Sequence, residues 1–224
     1  MEEENSILVK MAKNPLIMLT KLQKIIYHTI KRIFDIFCSL VALVMLIPFT
    51  IIIKILYLAT GDTKPIFYKQ KRIGKGGKRI YIYKFRSMVY NADELLNDIL
   101  TNPEYENQWK LNQKIEKDPR ITPIGKILRK TCIDELPQFV NVLKGEMSLI
   151  GPRPLIEGEL DKHNGNHQIY ESIKPGITGW WACNRNIADT YEKRLSLEYY
   201  YCKHCNLILD IKCIFKTIKI IIWG

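Results

Sequence analysis

Residues 36–53 read IFCSLVALVMLIPFTIII, eighteen positions without a charge and with one proline, Pro48, inside the run. That just reaches the length at which a helix can cross the hydrocarbon of a bilayer. The flanks create a conflict. From Lys10 to Arg32 the chain carries six basic residues and no acid; from Lys64 to Arg79 it carries seven and no acid. Basic flanks favour the cytoplasmic side of a membrane, so a simple crossing would force one cluster outward. A helix that enters the lipid, turns and leaves on the same side satisfies both. Pro48 removes a backbone hydrogen bond and is the expected bend. Ser39 and Thr50 are the side chains available to cover polar backbone freed there. A plain spanning helix with a tolerated proline is the alternative.

Further out, residues 207–224 read LILDIKCIFKTIKIIIWG, with Lys212, Lys216 and Lys219 at i, i+4 and i+7. This is the pattern of an amphipathic helix lying in a membrane interface, or of a terminal helix packed on a core with its lysines in water. Residues 16–30 show a weaker version of it. With 224 residues and a net charge of +11, the chain can bury one domain's core, and its partners are expected among anionic surfaces and phosphorylated molecules. No basic run is interleaved with stacking aromatics, so nucleic acid is not expected. The six cysteines are scattered behind no secretory signal, so disulfides are not expected. Cys202-Lys-His-Cys205 lacks a second pair, and the pair His163 and His167 is separated by a turn-like Asn-Gly-Asn, so zinc is not expected either.

The chemistry concentrates in CIDELPQFVNVLKG, residues 132–145. Leu136, Phe139, Val140 and Leu143 fall at helical spacing. Pro137 fits a first turn, which places the helix start near Asp134, and Lys144-Gly145 supplies a stop. Asp134 and Glu135 then stand at a helix N-terminus, either as ordinary capping acids or as reactive groups. A carboxylate can attack phosphorus to give an acyl phosphate, provided a cation screens the approach and fixed cations hold the phosphate oxygens. Arg153, between Pro152 and Pro154, suits that task; Lys84, Arg86, Arg120 and Arg129 are further candidates. Mg²⁺ fits a chain with carboxylates and no convincing His/Cys cluster. Elsewhere, residues 66–73 and 80–85 read as a hairpin around a basic glycine-rich turn, 92–100 as a short helix ending near Pro103, 103–117 as irregular, 118–130 as a turn and a basic helix, 147–150 as a strand, 174–179 as a rigid loop, and 191–202 as a helix.

In order along the chain, KRIFDIF (31–37), YKQKRIGKGGKRIYIYKFRSM (68–88), DPRITPIGKILRKTCIDELPQFVNVLKGEMSLIGPRP (118–154), KPGITGWW (174–181) and LDIKCIFKT (209–217) resemble the bacterial sugar transferases, monotopic polyprenyl-phosphate phosphoglycosyl transferases. The resemblance implies an α+β fold that is mainly helical and membrane-associated, with a re-entrant N-terminal membrane helix, a small β-hairpin and interfacial amphipathic helices. Residues 1–30 are expected as a basic amphipathic segment, 31–60 as the re-entrant helix bent near Pro48, and 61–224 as a cytoplasmic catalytic domain. The implied reaction moves a sugar phosphate from a UDP-sugar to undecaprenyl phosphate and releases UMP, with Mg²⁺ and a covalent intermediate on Asp134. Glu135 completes the dyad, and both acids are expected at the metal. Lys84, Arg86, Arg129, Arg153, Lys174 and Arg185 are the expected substrate-binding residues. Expected partners are the UDP-sugar, undecaprenyl phosphate and membrane lipid at the inner face of the cytoplasmic membrane, with a homodimer left open. Two departures from the family pattern stand out: Arg185-Asn186 lacks a preceding glycine, and Ile47 rather than a small polar residue precedes Pro48. The alternative function is a non-catalytic membrane-surface scaffold for glycan-assembly enzymes.

Overall fold

In a computed structural model of the chain, which describes residues 21–112 and 115–223, the first element is a helix of 39 residues, α1 (Lys21–Ala59), with Pro48 inside it. At about 1.5 Å per residue it is roughly 58 Å long, about twice the hydrocarbon thickness of a bilayer. The helix therefore does not end at the proline, and Pro48 divides no pair of helices. The hydroxyls of Ser39 and Thr50 bond the carbonyls one turn back, Asp35 O at 2.6 Å and Leu46 O at 2.8 Å, an arrangement that bends helices without breaking them. Phe37, Val44, Met45, Ile47 and Ile51 are exposed. An apolar helix with so much greasy surface uncovered is long and apolar enough to cross a membrane, and it belongs against lipid or another apolar partner. The expected amphipathic segment before residue 21 lies outside the described residues.

A hairpin follows, β1 (Phe67–Ile73) and β2 (Arg79–Phe85), at the expected place. Then come α2 (Leu95–Ile99) and α3 (Pro103–Asn112). The latter replaces the irregular stretch expected from its polar composition. Its start is conventional: the Asn102 side chain accepts from the Glu104 N–H at 2.9 Å, Pro103 opens the helix, and Glu104 and Glu106 fill the first turn. The remaining elements are α4 (Pro123–Lys130), α5 (Gln138–Lys144), β3 (Ser148–Ile150), α6 (Glu159–Lys162), α7 (His167–Tyr170), β4 (Gly176–Thr178), α8 (Tyr191–His204) and α9 (Leu207–Trp223). The loop expected at 174–179 thus contains a strand, which pairs in parallel with β3, Ser148 opposite Gly176 and Ile150 opposite Thr178.

The chain forms two compact units. Of the described residues, one comprises 21–44, 69–82 and 138–223. Its core joins Ile150, Trp180, Leu197, Tyr201, Leu209 and Cys213, with smaller clusters around Ile82, Val142 and Met147 and around Leu155, Leu160, Tyr170 and Leu195. Within this unit one face of α1, from Tyr27 to Asp35, is fastened to the later elements. Tyr27 donates to Asp210 at 3.0 Å, and Lys31 pairs with the same carboxylate at 2.8 Å. Arg32 donates to the carbonyls of Val142 and Leu143, at 2.6 and 2.7 Å, satisfying acceptors that the end of α5 leaves open. Asp35 accepts from Ser148 Oγ and from the Leu149 N–H.

The other unit comprises, of the described residues, 45–68, 83–112 and 115–137. Tyr57 and Phe85 are almost fully buried in it. Arg86 lies over the Tyr57 ring, 4.5 Å from its centroid, while Tyr57 Oη donates to Arg86 O. Asp118 and Arg120 form a buried ion pair at 2.7 Å, and Arg120 also donates to Ala92 O.

Candidate functional site

The acidic pair is placed by a sequence of local constraints. Thr122 caps α4, its hydroxyl accepting from the Gly125 N–H at 2.9 Å, with Pro123 behind it. Gly125 is required where it stands: a Cβ there would come within 1.8 Å of Ser87 O. The helix presents Arg129 and Lys130 in its last turn. Cys132 then adopts a left-handed conformation (φ 56°) and throws the chain into a single 3-10 turn, Ile133–Glu135. Asp134 and Glu135 sit on this turn, and α5 begins only at Gln138. This corrects the expectation that the following helix starts near Asp134. The buried positions of α5 are Gln138, Asn141 and Val142, while Leu136, Phe139, Val140 and Leu143 are half-buried. Gly145, at φ 82°, ends the helix as expected.

Asp134 is buried, at 8% exposure. Burial pushes its carboxyl above the usual range; Lys84 opposes this, neighbouring Glu135 adds to it, and Arg129 opposes it. Glu135 accepts from Lys84 Nζ at 2.8 Å. Arg129 donates through Nε to Ser87 Oγ at 2.8 Å. Arg86 has each of its nitrogens engaged: Nε on Pro65 O, Nη1 on Met88 O and Nη2 on Asp62. It braces the chain that carries Ser87, whereas Lys84 and Arg129 address the acidic turn. The turn therefore offers one carboxylate held in an ion pair and one poorly solvated, hence more basic and more nucleophilic.

The other expected residues, Arg153, Lys174 and Arg185, fall in the unit that contains α8 and α9. Arg153 is exposed, but its backbone is fixed at both ends: its N–H donates to Glu198 at 3.1 Å and its carbonyl accepts from Tyr170 Oη at 3.0 Å. Its guanidinium shares the Trp181 indole with two others, Arg153 at 5.9 Å, Arg185 at 5.4 Å and Arg194 at 4.6 Å from the ring centroid. Arg194 is paired with Glu159 at 3.3 Å, whereas Arg153 and Arg185 are exposed and can meet an oxyanion beside the ring. Lys174 stands apart from this ring, its Nζ beside Gly145. Sequence reasoning missed Trp181, Arg194 and Glu198. The aromatic pair in GITGWW was the available signal for the first, but nothing local marks the other two.

A magnesium ion held through one or two carboxylates completes its shell with phosphate oxygens and water, and the adjacent acids Asp134 and Glu135 fit that donor chemistry.

Comparison with known proteins gives a family. A model described as bacterial sugar transferase matches residues 26–224. An undecaprenyl-phosphate galactose phosphotransferase of Salmonella typhimurium is 43% identical over 195 residues, 86% of this chain and 40% of that protein. The exopolysaccharide production protein ExoY of Sinorhizobium fredii is 36% identical over 190 residues, 84% of this chain and 83% of that protein. A UDP-N-acetylgalactosamine-undecaprenyl-phosphate N-acetylgalactosaminephosphotransferase of Aeromonas hydrophila is 37% identical over 205 residues, 89% of this chain and 45% of that protein. The chain spans about two-fifths of the length of relatives such as the Salmonella protein and most of the length of ExoY. Five ordered motifs, the acidic turn and the match over nearly the whole described length agree: this chain belongs to the bacterial sugar transferase family.

Proposed function

We propose that the protein transfers a sugar phosphate from a UDP-sugar to undecaprenyl phosphate at a cytoplasmic membrane face, as a step in surface-glycan assembly. The observation that carries this is the acidic turn: a buried Asp134 flanked by Lys84 and Arg129, with Glu135 engaged by Lys84. The names of relatives that act on undecaprenyl phosphate support the substrate class.

In this mechanism an Asp134 carboxylate oxygen attacks the phosphorus that bears the sugar. The bond between that phosphorus and the bridging oxygen breaks, and UMP leaves with the oxygen. A phosphate oxygen of undecaprenyl phosphate then attacks the same phosphorus, releases the Asp134 carboxylate and forms the lipid diphosphosugar. Lys84 and Arg129 balance charge at the acidic turn, and Arg86 positions their supporting chain. Within their own unit, Arg153 and Arg185 offer guanidinium donors beside Trp181 to phosphate oxygens, and Lys174 contributes a further cation. Magnesium, held by Asp134 and Glu135, would neutralise diphosphate charge. The α1 helix is proposed as a re-entrant anchor, entering and leaving on one side.

Purified chain with Mg²⁺, undecaprenyl phosphate and a panel of UDP-sugars should release UMP with at least one donor. Mass spectrometry after donor alone should find the phosphosugar on residue 134. A label found consistently on another residue overturns the assignment.

A further inference from the structure

One face of α1 lines a cavity of about 210 Å³ whose walls contain His28, Lys31, Arg32 and Asp35, together with Lys75 from the hairpin turn and Lys174 from the turn before β4. Every lining residue belongs to the unit that contains α8 and α9, and none to the unit that carries Asp134. The cations converge from three separate pieces of chain, and their charges are unevenly met. Lys31 is paired with Asp210. Arg32 spends its nitrogens on the Val142 and Leu143 carbonyls, which anchor the guanidinium but leave its charge in place. Asp35, the carboxylate on the wall, is turned to Ser148 and the Leu149 N–H. Among the described residues neither Lys75 nor Lys174 has an ion-pair partner.

The surplus is felt inside the cavity. Burial and then Arg32 hold the Lys174 ammonium below its usual range, Asp35 pulling the other way and Lys75 adding to the repulsion. His28 is held down by burial and then by Lys75 and Lys31. Cations fixed at close quarters repel each other, and a multivalent anion seated among them removes that cost. Lysines act as point-charge donors that can approach a tetrahedral anion from several sides.

We propose that this cavity binds a phosphate group, carried either by the headgroup of an anionic lipid or by a soluble ion. Its position on the basic end of the apolar helix places it where both sources are met. Of the cavity's cations only Lys174 is also proposed for the transfer reaction; Lys31, Arg32 and Lys75 have no part in it, and the test reads binding rather than transfer, so the two proposals fail separately.

The test uses the full chain in maltoside micelles, which contain no phosphate. The unfolding midpoint is followed while sodium phosphate replaces sodium chloride at matched ionic strength, and separately while phosphatidylglycerol is added. The same titrations are run on Lys75→Gln and on the double variant Lys75→Gln/Lys174→Gln. A midpoint that rises with inorganic phosphate assigns the soluble ion; a rise with phosphatidylglycerol alone assigns the lipid headgroup. In either case the apparent affinity should fall roughly tenfold for each lysine removed. Lys75 is exposed on its turn, so its variant keeps the test open if replacing Lys174 unfolds the chain. No response to either addition, or an equal response in wild type and Lys75→Gln, overturns the proposal.

Discussion

Asp134 and Glu135 are adjacent in sequence and chemically identical in kind, yet their surroundings separate them. Glu135 has an ion-pair partner in Lys84, while Asp134 is buried and pushed upward. Replacing Asp134 by Asn should lower transfer by at least about a thousandfold with little change in the unfolding midpoint; undiminished UMP release would remove the nucleophile. Lys84 holds Asp134 down against its burial, so Lys84→Met should move the acidic limb of the pH–activity profile to higher pH. A limb that stays or moves lower would show that Lys84 does not govern this carboxyl. Glu198 gives a sharper stability test. It is 1% exposed, and burial raises its carboxyl to about 7, against the bonds from the Arg153 N–H and the charges of Arg194 and Arg153. The folded state therefore keeps a proton that the unfolded chain releases near pH 4.5. Stability is greatest below that value and falls, by on the order of 3 kcal/mol, as the pH rises to about 7. Glu198→Gln, which can still accept from Arg153, should flatten this slope in denaturant titrations at several pH values.

Among the elements, those with strong local signals were legible and those defined by distant partners were not. The hairpin, α4, α8 and α9 follow from turn glycines, a Thr-Pro cap and apolar spacing that lie within a few residues of each other. Helix α3 was missed because it has no apolar stripe, although Asn102-Pro103 already contained a start signal. The same two residues read equally well as the end of the helix before them. Around the site, the acidic turn and its basic neighbours occupy contiguous motifs, so their identities were readable. Their roles were less so: Arg86 reads as a phosphate ligand until Pro65, Met88 and Asp62 are seen to occupy its nitrogens. The face of α1 that holds its own unit together is likewise invisible in sequence, because Val142, Leu143, Ser148 and Asp210 are more than a hundred residues away. Arg32→Ala should cost about 3 kcal/mol, since two charged hydrogen bonds are lost and the end of α5 is left open. A loss below about 0.5 kcal/mol in reversible unfolding would show that water replaces the arginine freely.

For the whole molecule, composition spoke first and most reliably. A strongly basic chain with one long apolar helix points to a membrane surface. Re-entry of α1, which continues through Pro48, is the prediction at this scale. In cells, single cysteines placed at residues 24 and 64, with the exposed Cys132 replaced by serine, should both be protected from an impermeant thiol reagent added outside. Labelling of one position from outside would establish a crossing.

The Lys31–Asp210 pair joins residues 179 positions apart. At roughly 5 to 20 residues per second of synthesis, the greasy helix leaves the ribosome on the order of ten to forty seconds before the carboxylate that anchors its basic end. Through that interval Lys31 has no acid waiting for it, and the nascent helix must be sheltered by lipid or by a chaperone. If lipid gives that shelter, insertion precedes docking, and the order of the chain brings the bilayer into folding before α9 has been translated.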